Sequence, residues 1–325
     1  MNRQESSAAE KSAPRLSLLV PVYNEEENLA DLGREIREAL SALDYEVIFV
    51  DDGSTDGSYQ KLQELMASET RFRAVRLGKN FGQTAATAAA IDHARGELIA
   101  LIDSDLQNDP RDIPKMIERL EEGYDVVSGW RRNRQDTWLT RRLPSQIANA
   151  LISRMTGVRL HDYGCTLKVY RSAFLKNLRI VGEMHRFIPA LAGFLGARIA
   201  EMVVHHRPRT RGVSKYGLMR IFKVLLDLFT VKFMNEYLTK PSYLFGGGGF
   251  CMLGAGAVLG GVTLYNKYWL EVYVKDQPLF LVSIFFCLIG FQLLLMGLLA
   301  EILARIYYDV REKPIYFVRE KAGFE

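Results

Sequence analysis

Up to about residue 240 the chain alternates short apolar runs with polar, helix-patterned stretches. Leu16 to Val22 is too short for an amphipathic helix and reads as a strand buried on both faces. It runs out at Tyr23-Asn24, and Glu25-Glu-Glu27 follows as an acidic first turn that favours a helix start. Tyr45 to Val50 predicts a second strand, which stops at the loop formers and caps of Asp51-Asp-Gly-Ser-Thr-Asp-Gly57. A helix over Tyr59 to Ala67, a strand over Phe72 to Leu77 and an Ala-rich helix over Gln83 to Ala94, closed by Gly96, come next. Glu97 to Ile102 predicts a fourth strand, Pro110 to Glu122 a helix and Asp125 to Gly129 a fifth strand. Strands separated by helices imply an α/β fold with a mostly parallel, three-layer, Rossmann-like sheet, whose ligands gather beyond the carboxyl ends of the strands.

The pattern changes abruptly near residue 240. Leu244 to Leu264 and Pro278 to Ala300 carry no charged residue, and each reaches the roughly 20 residues needed to cross a hydrocarbon core as a helix. Two transmembrane spans are predicted, over about 244–264 and 279–303. The loop between them carries the interfacial aromatics Tyr265, Tyr268, Trp269 and Tyr273. Lys215, Arg220, Lys223, Lys232 and Lys240 precede the hairpin and Arg305, Arg311 and Lys313 follow it, against Lys267 and Lys275 in the loop, so both termini are expected in the cytoplasm of a multi-pass inner-membrane protein. Tyr216 to Leu238 interleaves apolar and basic residues at helical spacing and predicts an amphipathic helix lying in the membrane interface against the lipids. A second such helix is expected from Glu183 to Leu195, broken near Pro189. The expected organisation is a disordered tail over 1–14, a cytoplasmic domain over 15–215, the juxtamembrane helix over 216–240, the hairpin over 241–304 and a cytoplasmic tail over 305–325.

Composition narrows the chemistry. With 325 residues, 48% of them hydrophobic, and only three cysteines, the chain is neither disordered nor disulfide-stapled. A formal charge of +4 gives no general grip on a polyanion, so nucleic acid is not an expected partner. Cys165, Cys251 and Cys287 are expected to be free thiols. His205 and His206 adjoin on a predicted strand and lack zinc-site spacing, so a structural role is expected. Glycines at 246–249, 256 and 260 give the first span a small face, suited to packing within the pair or between subunits of a homo-oligomer.

The acidic clusters sit where a parallel sheet would bind ligands. Pro21 to Glu25, Asp51-Asp52 and Asp103-Ser104-Asp105 each close a strand and should converge on one cleft. Neither G-x-G-x-x-G after the first strand nor a P-loop occurs, so phosphates must be held in another way. Asp103 and Asp105 at i and i+2, with the amide of Gln107 beyond, offer oxygen ligands for Mg²⁺ or Mn²⁺ bridging a diphosphate.

Taken together, Val20-Pro-Val-Tyr-Asn-Glu25, Val50-Asp-Asp-Gly-Ser-Thr-Asp56, Asp103-Ser-Asp105-Leu-Gln107 and Gly129-Trp-Arg131 resemble the family 2 inverting glycosyltransferases of GT-A fold, in their dolichol-phosphate-mannose synthase branch. Leu167-Lys-Val-Tyr170, Arg211-Gly-Val-Ser-Lys-Tyr216 and the two C-terminal spans are similar to bacterial polyprenyl-phosphate (bactoprenol) glucosyltransferases. The resemblance implies that Pro21, Tyr23, Glu25, Val50, Asp52, Ser104 and Arg131 bind the nucleotide sugar, with Asp52 accepting from the base. It implies that Asp103, Asp105 and Gln107 hold the cation. Arg141, Ser145, Arg209 and Lys215 match residues near the acceptor phosphate, and Asp103, Asp105, Arg131 and Arg141 are the implied catalytic set.

The implied reaction moves a sugar, with the two-span branch suggesting glucose from UDP-glucose and a modified pentose, GlcNAc or GDP-mannose as alternatives, onto polyprenyl (undecaprenyl) phosphate with inversion. The acceptor is a phosphate monoester with a second pKa of about 6, already largely dianionic near neutral pH, so a dedicated general base is dispensable. A processive polysaccharide synthase is a rival reading, but it would resemble chains with a Q-x-x-R-W motif and more spans. A non-catalytic module that binds nucleotide sugars is the other, and the intact acidic motifs argue against it.

Overall fold

A computed structural model of the chain describes residues 13–132, 143–178, 180, 182, 184–208, 241–309 and 318–323. They fall into two units, one built on a sheet and one on a helical hairpin.

In the sheet unit β1 (Leu16–Val22), β2 (Tyr45–Asp51), β3 (Phe72–Leu77) and β4 (Leu98–Leu101) alternate with α1 (Glu26–Ala39), α2 (Ser58–Ser68) and α3 (Gln83–His93). These four strands are parallel, with β1 between β2 and β4. β1 and β2 are buried along their whole length, as expected of unbroken apolar runs in a sheet covered on both faces. Leu18, Val20, Val47 and Phe49 pack with Leu29, Leu32 and Ile36 of α1 and Leu62 of α2, which places those helices on one face. The Ala-rich α3 lies on the opposite face of β1 and β2, its small side chains letting it approach closely.

After β4 come α4 (Asp112–Glu121), β5 (Val126–Trp130), α5 (Leu143–Thr156), β6 (Lys168–Arg171), α6 (Ser172–Lys176), α7 (Ile188–Phe194) and β7 (Ile199–Val203). β6 runs antiparallel between β4 and β5, so the loop entering β6 meets the carboxyl ends of both neighbours. A 3₁₀ turn at Met184–Phe187 precedes α7, and Pro189 sits in the first turn of that helix, so the break expected in this region is present. A short strand, β8 (Val318–Ala322), pairs antiparallel with β3 and completes the order β7-β5-β6-β4-β1-β2-β3-β8. The expectation of a tail over 305–325 does not foresee it.

The second unit holds α8 (Pro241–Trp269) and α9 (Pro278–Asp309), both long and apolar enough to cross a membrane. Only 17% and 11% of their most apolar windows are buried, which argues against ordinary core helices. Their contact is made by glycines: a Cβ on Gly249 would lie 2.8 Å from the Gly290 carbonyl, and one on Gly256 3.0 Å from that of Ser283. The small face of the first span therefore packs within the pair. The amphipathic helix expected over Tyr216 to Leu238 lies outside the described residues.

Candidate active site

Consecutive residues at the start of α3 gather the acidic clusters. The Asp52 carboxylate, at the end of β2, accepts from the backbone N–H of Phe81 at 2.7 Å and of Gly82 at 2.9 Å. The next residue, Gln83, donates from Nε2 to Asp103 Oδ1 at 2.9 Å. Thr84 Oγ1 then lies 2.7 Å from His185 Nδ1 of the 3₁₀ turn. Gly53 makes this convergence feasible: it has a φ of +70°, and a Cβ there would come within 2.4 Å of the Lys79 backbone. The β2 loop and the β3–α3 loop thus touch backbone to backbone. Burial raises the Asp52 pKa above the ordinary carboxylate value despite the two N–H donors.

The turn after β1 is stitched to the same region. Asn24 takes a φ of 53°, its N–H donates to Ser54 Oγ at 3.0 Å, and its Oδ1 accepts from the Thr55 N–H at 2.8 Å. The Glu25 N–H donates to Ser58 Oγ at 2.9 Å, and Glu25 Oε2 accepts from Asn28 at 2.5 Å. Pro21 and Val50 face each other in the β1–β2 register, both buried, with Tyr23 and Glu25 half-buried just beyond.

Asp103 follows β4 and is half-buried. Its second oxygen accepts from Thr166 Oγ1 at 2.6 Å, so among the described residues both its hydrogen bonds come from neutral donors. Glu46, at the opposite ends of the strands, is by contrast paired with Arg73 at 2.9 Å and Arg95 at 3.2 Å. Asp105 accepts from the Gln107 N–H at 3.2 Å, Leu106 takes a φ of 60°, and Ser104 is buried between the two carboxylates. Asp103 and Asp105 offer hard carboxylate oxygens, which fit Mg²⁺ or Mn²⁺ completed by substrate phosphates. Among the described residues no group of three or more His, Cys, Asp or Glu could hold a metal alone.

Arg131, just past β5, makes a two-pronged pair with Asp162: Nε at 2.7 Å from Oδ2 and Nη2 at 3.0 Å from Oδ1. Burial is the largest influence and opposes both charges, but the paired hydrogen bonds and the attraction of the opposite charges together outweigh it, holding the Asp162 pKa below and the Arg131 pKa above their ordinary values. Trp130 stacks on His161 with ring centroids 4.3 Å apart.

The loop after β4 is tied down from the far side. His205 donates its N–H to Asp112 at 2.7 Å, and Arg207 bonds Glu35 at 2.8 Å and Asp109 at 2.6 Å. His205 thus serves the framework. Of the residues matched to the acceptor phosphate, Arg141, Arg209 and Lys215 lie outside the described residues, as does the side chain of Ser145 in α5. The pattern of acids at strand ends gave no sign of Gln83, Thr84, Thr166, His185 or Asp162. They lie 20 to 101 positions from the partners they bind, and only the fold brings them close.

A mostly parallel sheet with an inserted antiparallel strand and carboxylates at its C-terminal edge is the architecture of a GT-A glycosyltransferase. The model of the family described as "Glycosyl transferase family 2" matches residues 17–179, and the chain belongs to that family. It is 45% identical over 314 residues to a dodecaprenyl-phosphate galacturonate synthase of Rhizobium johnstonii, covering 94% of this chain and 92% of the relative. It is 38% identical over 309 residues to an undecaprenyl-phosphate 4-deoxy-4-formamido-L-arabinose transferase of Aeromonas hydrophila, covering 94% and 93%. In fold it is similar to a glucosyl-3-phosphoglycerate synthase from Mycobacterium tuberculosis solved with Mn²⁺, UDP and glucosyl-3-phosphoglycerate, with a TM-score of 0.53, 18% identity, and coverage of 69% and 81%.

Proposed function

We propose that this chain transfers a sugar from a nucleotide diphosphate to the phosphate of a long-chain polyprenol at the cytoplasmic face of the inner membrane, with inversion at the anomeric carbon. The observation that carries the reading is the first turn of α3, where adjacent residues bind Asp52 and Asp103 and so bring the nucleoside-side and cation-side carboxylates to one place. The two polyprenyl-phosphate relatives and the hairpin support the lipid acceptor.

Neither relative's name includes glucose, the sugar expected from sequence. We therefore place a galacturonate-type uronic acid first among the donor sugars, carried on UDP, with glucose next.

In the reaction an acceptor phosphate oxygen forms its bond to the anomeric carbon as the bond from that carbon to the β-phosphate breaks, and the electron pair leaves with the diphosphate. A divalent cation, when bound, would neutralise charge growing on that leaving group. Asp103 and Asp105, with Gln107, would hold it. Pro21, Tyr23, Glu25, Val50, Asp52 and Ser104 would seat the nucleotide, Asp52 acting through the loop it fastens and a base contact falling to its remaining lone pairs. Arg131, oriented by Asp162, would present its Nη1 edge to phosphate and favour the transition state over the ground state. Arg141, Ser145, Arg209 and Lys215 would dock the lipid phosphate.

The test is a reconstitution of the full chain with undecaprenyl phosphate and radiolabelled UDP-galacturonate, UDP-glucose and GDP-mannose, followed by solvent extraction. Label in the extractable lipid from one donor, abolished by excess chelator, is the expected result. No lipid product from any donor overturns the reading, and full activity in chelator overturns its metal.

A further inference from the structure

The antiparallel placement of β6 has a chemical consequence. Its first residue, Lys168, pairs with Leu101 of β4 on one side and Ser128 of β5 on the other. Just beyond those two positions stand Asp103 and Arg131. The loop entering β6, His161 to Leu167, therefore lies across the ends of the strands that deliver the cation-side carboxylate and the phosphate-side cation.

That loop binds both. Asp162 takes Nε and Nη2 of Arg131, and its Oδ1 also accepts from the Gly164 N–H at 3.0 Å. Thr166, four residues on, donates to Asp103 at 2.6 Å. The loop is itself held from below. Lys168 is 3% exposed, and its ammonium donates to the carbonyls of Tyr163, at 3.3 Å, and Cys165. From the side, Glu201 accepts the N–H groups of His161 at 2.9 Å and Asp162 at 3.1 Å. An exposed loop of this length would sample many conformers. This one has its carboxylate, hydroxyl and backbone fastened, as a supporting shell must be to fix a functional group.

We propose that Asp162 and Thr166 are positioning residues for glycosyl transfer, setting Arg131 and Asp103 at a fixed separation from a single loop that Lys168 locks. The inference rests on the reading of the site as a cation-assisted glycosyltransferase.

The test uses the full-length chain in detergent and four variants: Thr166→Val, Thr166→Ser, Asp162→Asn and Lys168→Met. Mn²⁺ binding in the presence of UDP is followed by loss of the free-ion EPR signal, and kcat and donor KM are measured on the same samples. Loss of a supporting hydrogen bond to a metal ligand costs roughly 10- to 100-fold in affinity or activity. Thr166→Val is expected to weaken Mn²⁺ binding at the lower end of that range, with Thr166→Ser within about twofold of wild type because the hydroxyl is restored. Asp162→Asn is expected to leave Mn²⁺ binding near wild type and to lower kcat at saturating donor by at least about tenfold. Lys168→Met, which frees the loop, is expected to impair both readouts. General damage to the fold would move Mn²⁺ binding and kcat together in every variant and would not distinguish Val from Ser. Equal Mn²⁺ binding by the Val and Ser variants overturns the role of Thr166, and undiminished turnover by Asp162→Asn overturns that of Asp162. A wild-type chain that binds no Mn²⁺ with UDP overturns the cation-assisted reading and this inference with it, and the wild-type arm alone reports that case.

Discussion

Two aspartates of the site respond oppositely to their surroundings, and the difference can be measured. Asp52 is buried against two backbone N–H groups, and burial is the stronger influence on its pKa. Asp52→Ala leaves the N–H groups of Phe81 and Gly82 without their acceptor, each at a cost of about 1–3 kcal/mol where water cannot replace it. The variant is expected to unfold at lower temperature as well as to bind donor less well. Unchanged thermal stability would mean that the carboxylate does not hold the β3–α3 loop. For Asp162 burial is outweighed only by the hydrogen bonds and charge of Arg131 together with the charge of Lys168, so its folded pKa lies below the unfolded value. A depressed carboxylate contributes stability that is present above the unfolded pKa, about 4, and is lost as pH falls through the folded value. The stability gap between wild type and Asp162→Asn, measured by denaturant unfolding, is therefore expected to be open at pH 7 and to close in acid. A gap that widens on acidification would contradict the ion pair.

At the scale of elements, what could be read from the chain followed the locality of the signal. β1 to β5 and the helices between them fall within a residue or two of expectation, because each is an apolar run or amphipathic stretch bounded by its own caps and turns. β8 had no such signature. Val-Arg-Glu-Lys-Ala is charged and short, and its identity as a strand comes from the edge of β3 that it covers. The same reasoning explains the site. Asp52, Asp103 and Asp105 stand out in the sequence as candidates because they end strands, whereas Thr166 and Asp162 are loop residues whose contacts depend on β6 turning back between β4 and β5. β8 also touches the chemistry indirectly. It sets Glu320 opposite Arg76, which stacks 4.5 Å over Tyr59 and reaches Asp51 at 3.4 Å, the neighbour of Asp52. Burial, joined by the charge of Glu320, pushes the Tyr59 hydroxyl up to about 12. A chain ending at residue 313 would uncover the β3 edge and lose a few ladder hydrogen bonds at about 1 kcal/mol each, a loss of roughly 2–4 kcal/mol. The expected outcome is a lower unfolding temperature for the sheet and more aggregation in detergent. Unchanged values for both would show that β8 adds nothing to the edge.

For the whole molecule, the connectivity itself constrains the topology. The polypeptide leaves the sheet unit, runs through α8 and α9, and returns to pair with β3 of the same sheet. If both helices cross the bilayer, an even number of crossings is the only arrangement that lets β8 reach β3. The loop around Val272 then lies on the side opposite the two ends of the hairpin. The charge asymmetry of Lys215 to Lys240 and Arg305 to Lys313 against Lys267 and Lys275 predicts that the basic flanks face the cytoplasm. That placement agrees with the chemistry, because nucleotide sugars and the dianionic head of a polyprenyl phosphate must meet on one face. Single cysteines at Val272 and Lys321, placed in a chain whose Cys165, Cys251 and Cys287 are replaced by serine, make the prediction concrete. A membrane-impermeant maleimide added to intact cells is expected to label Val272→Cys and to reach Lys321→Cys only after permeabilisation. Labelling of both from the same side would mean that the hairpin lies on the membrane rather than through it, and the active site would then have to receive its lipid by another route.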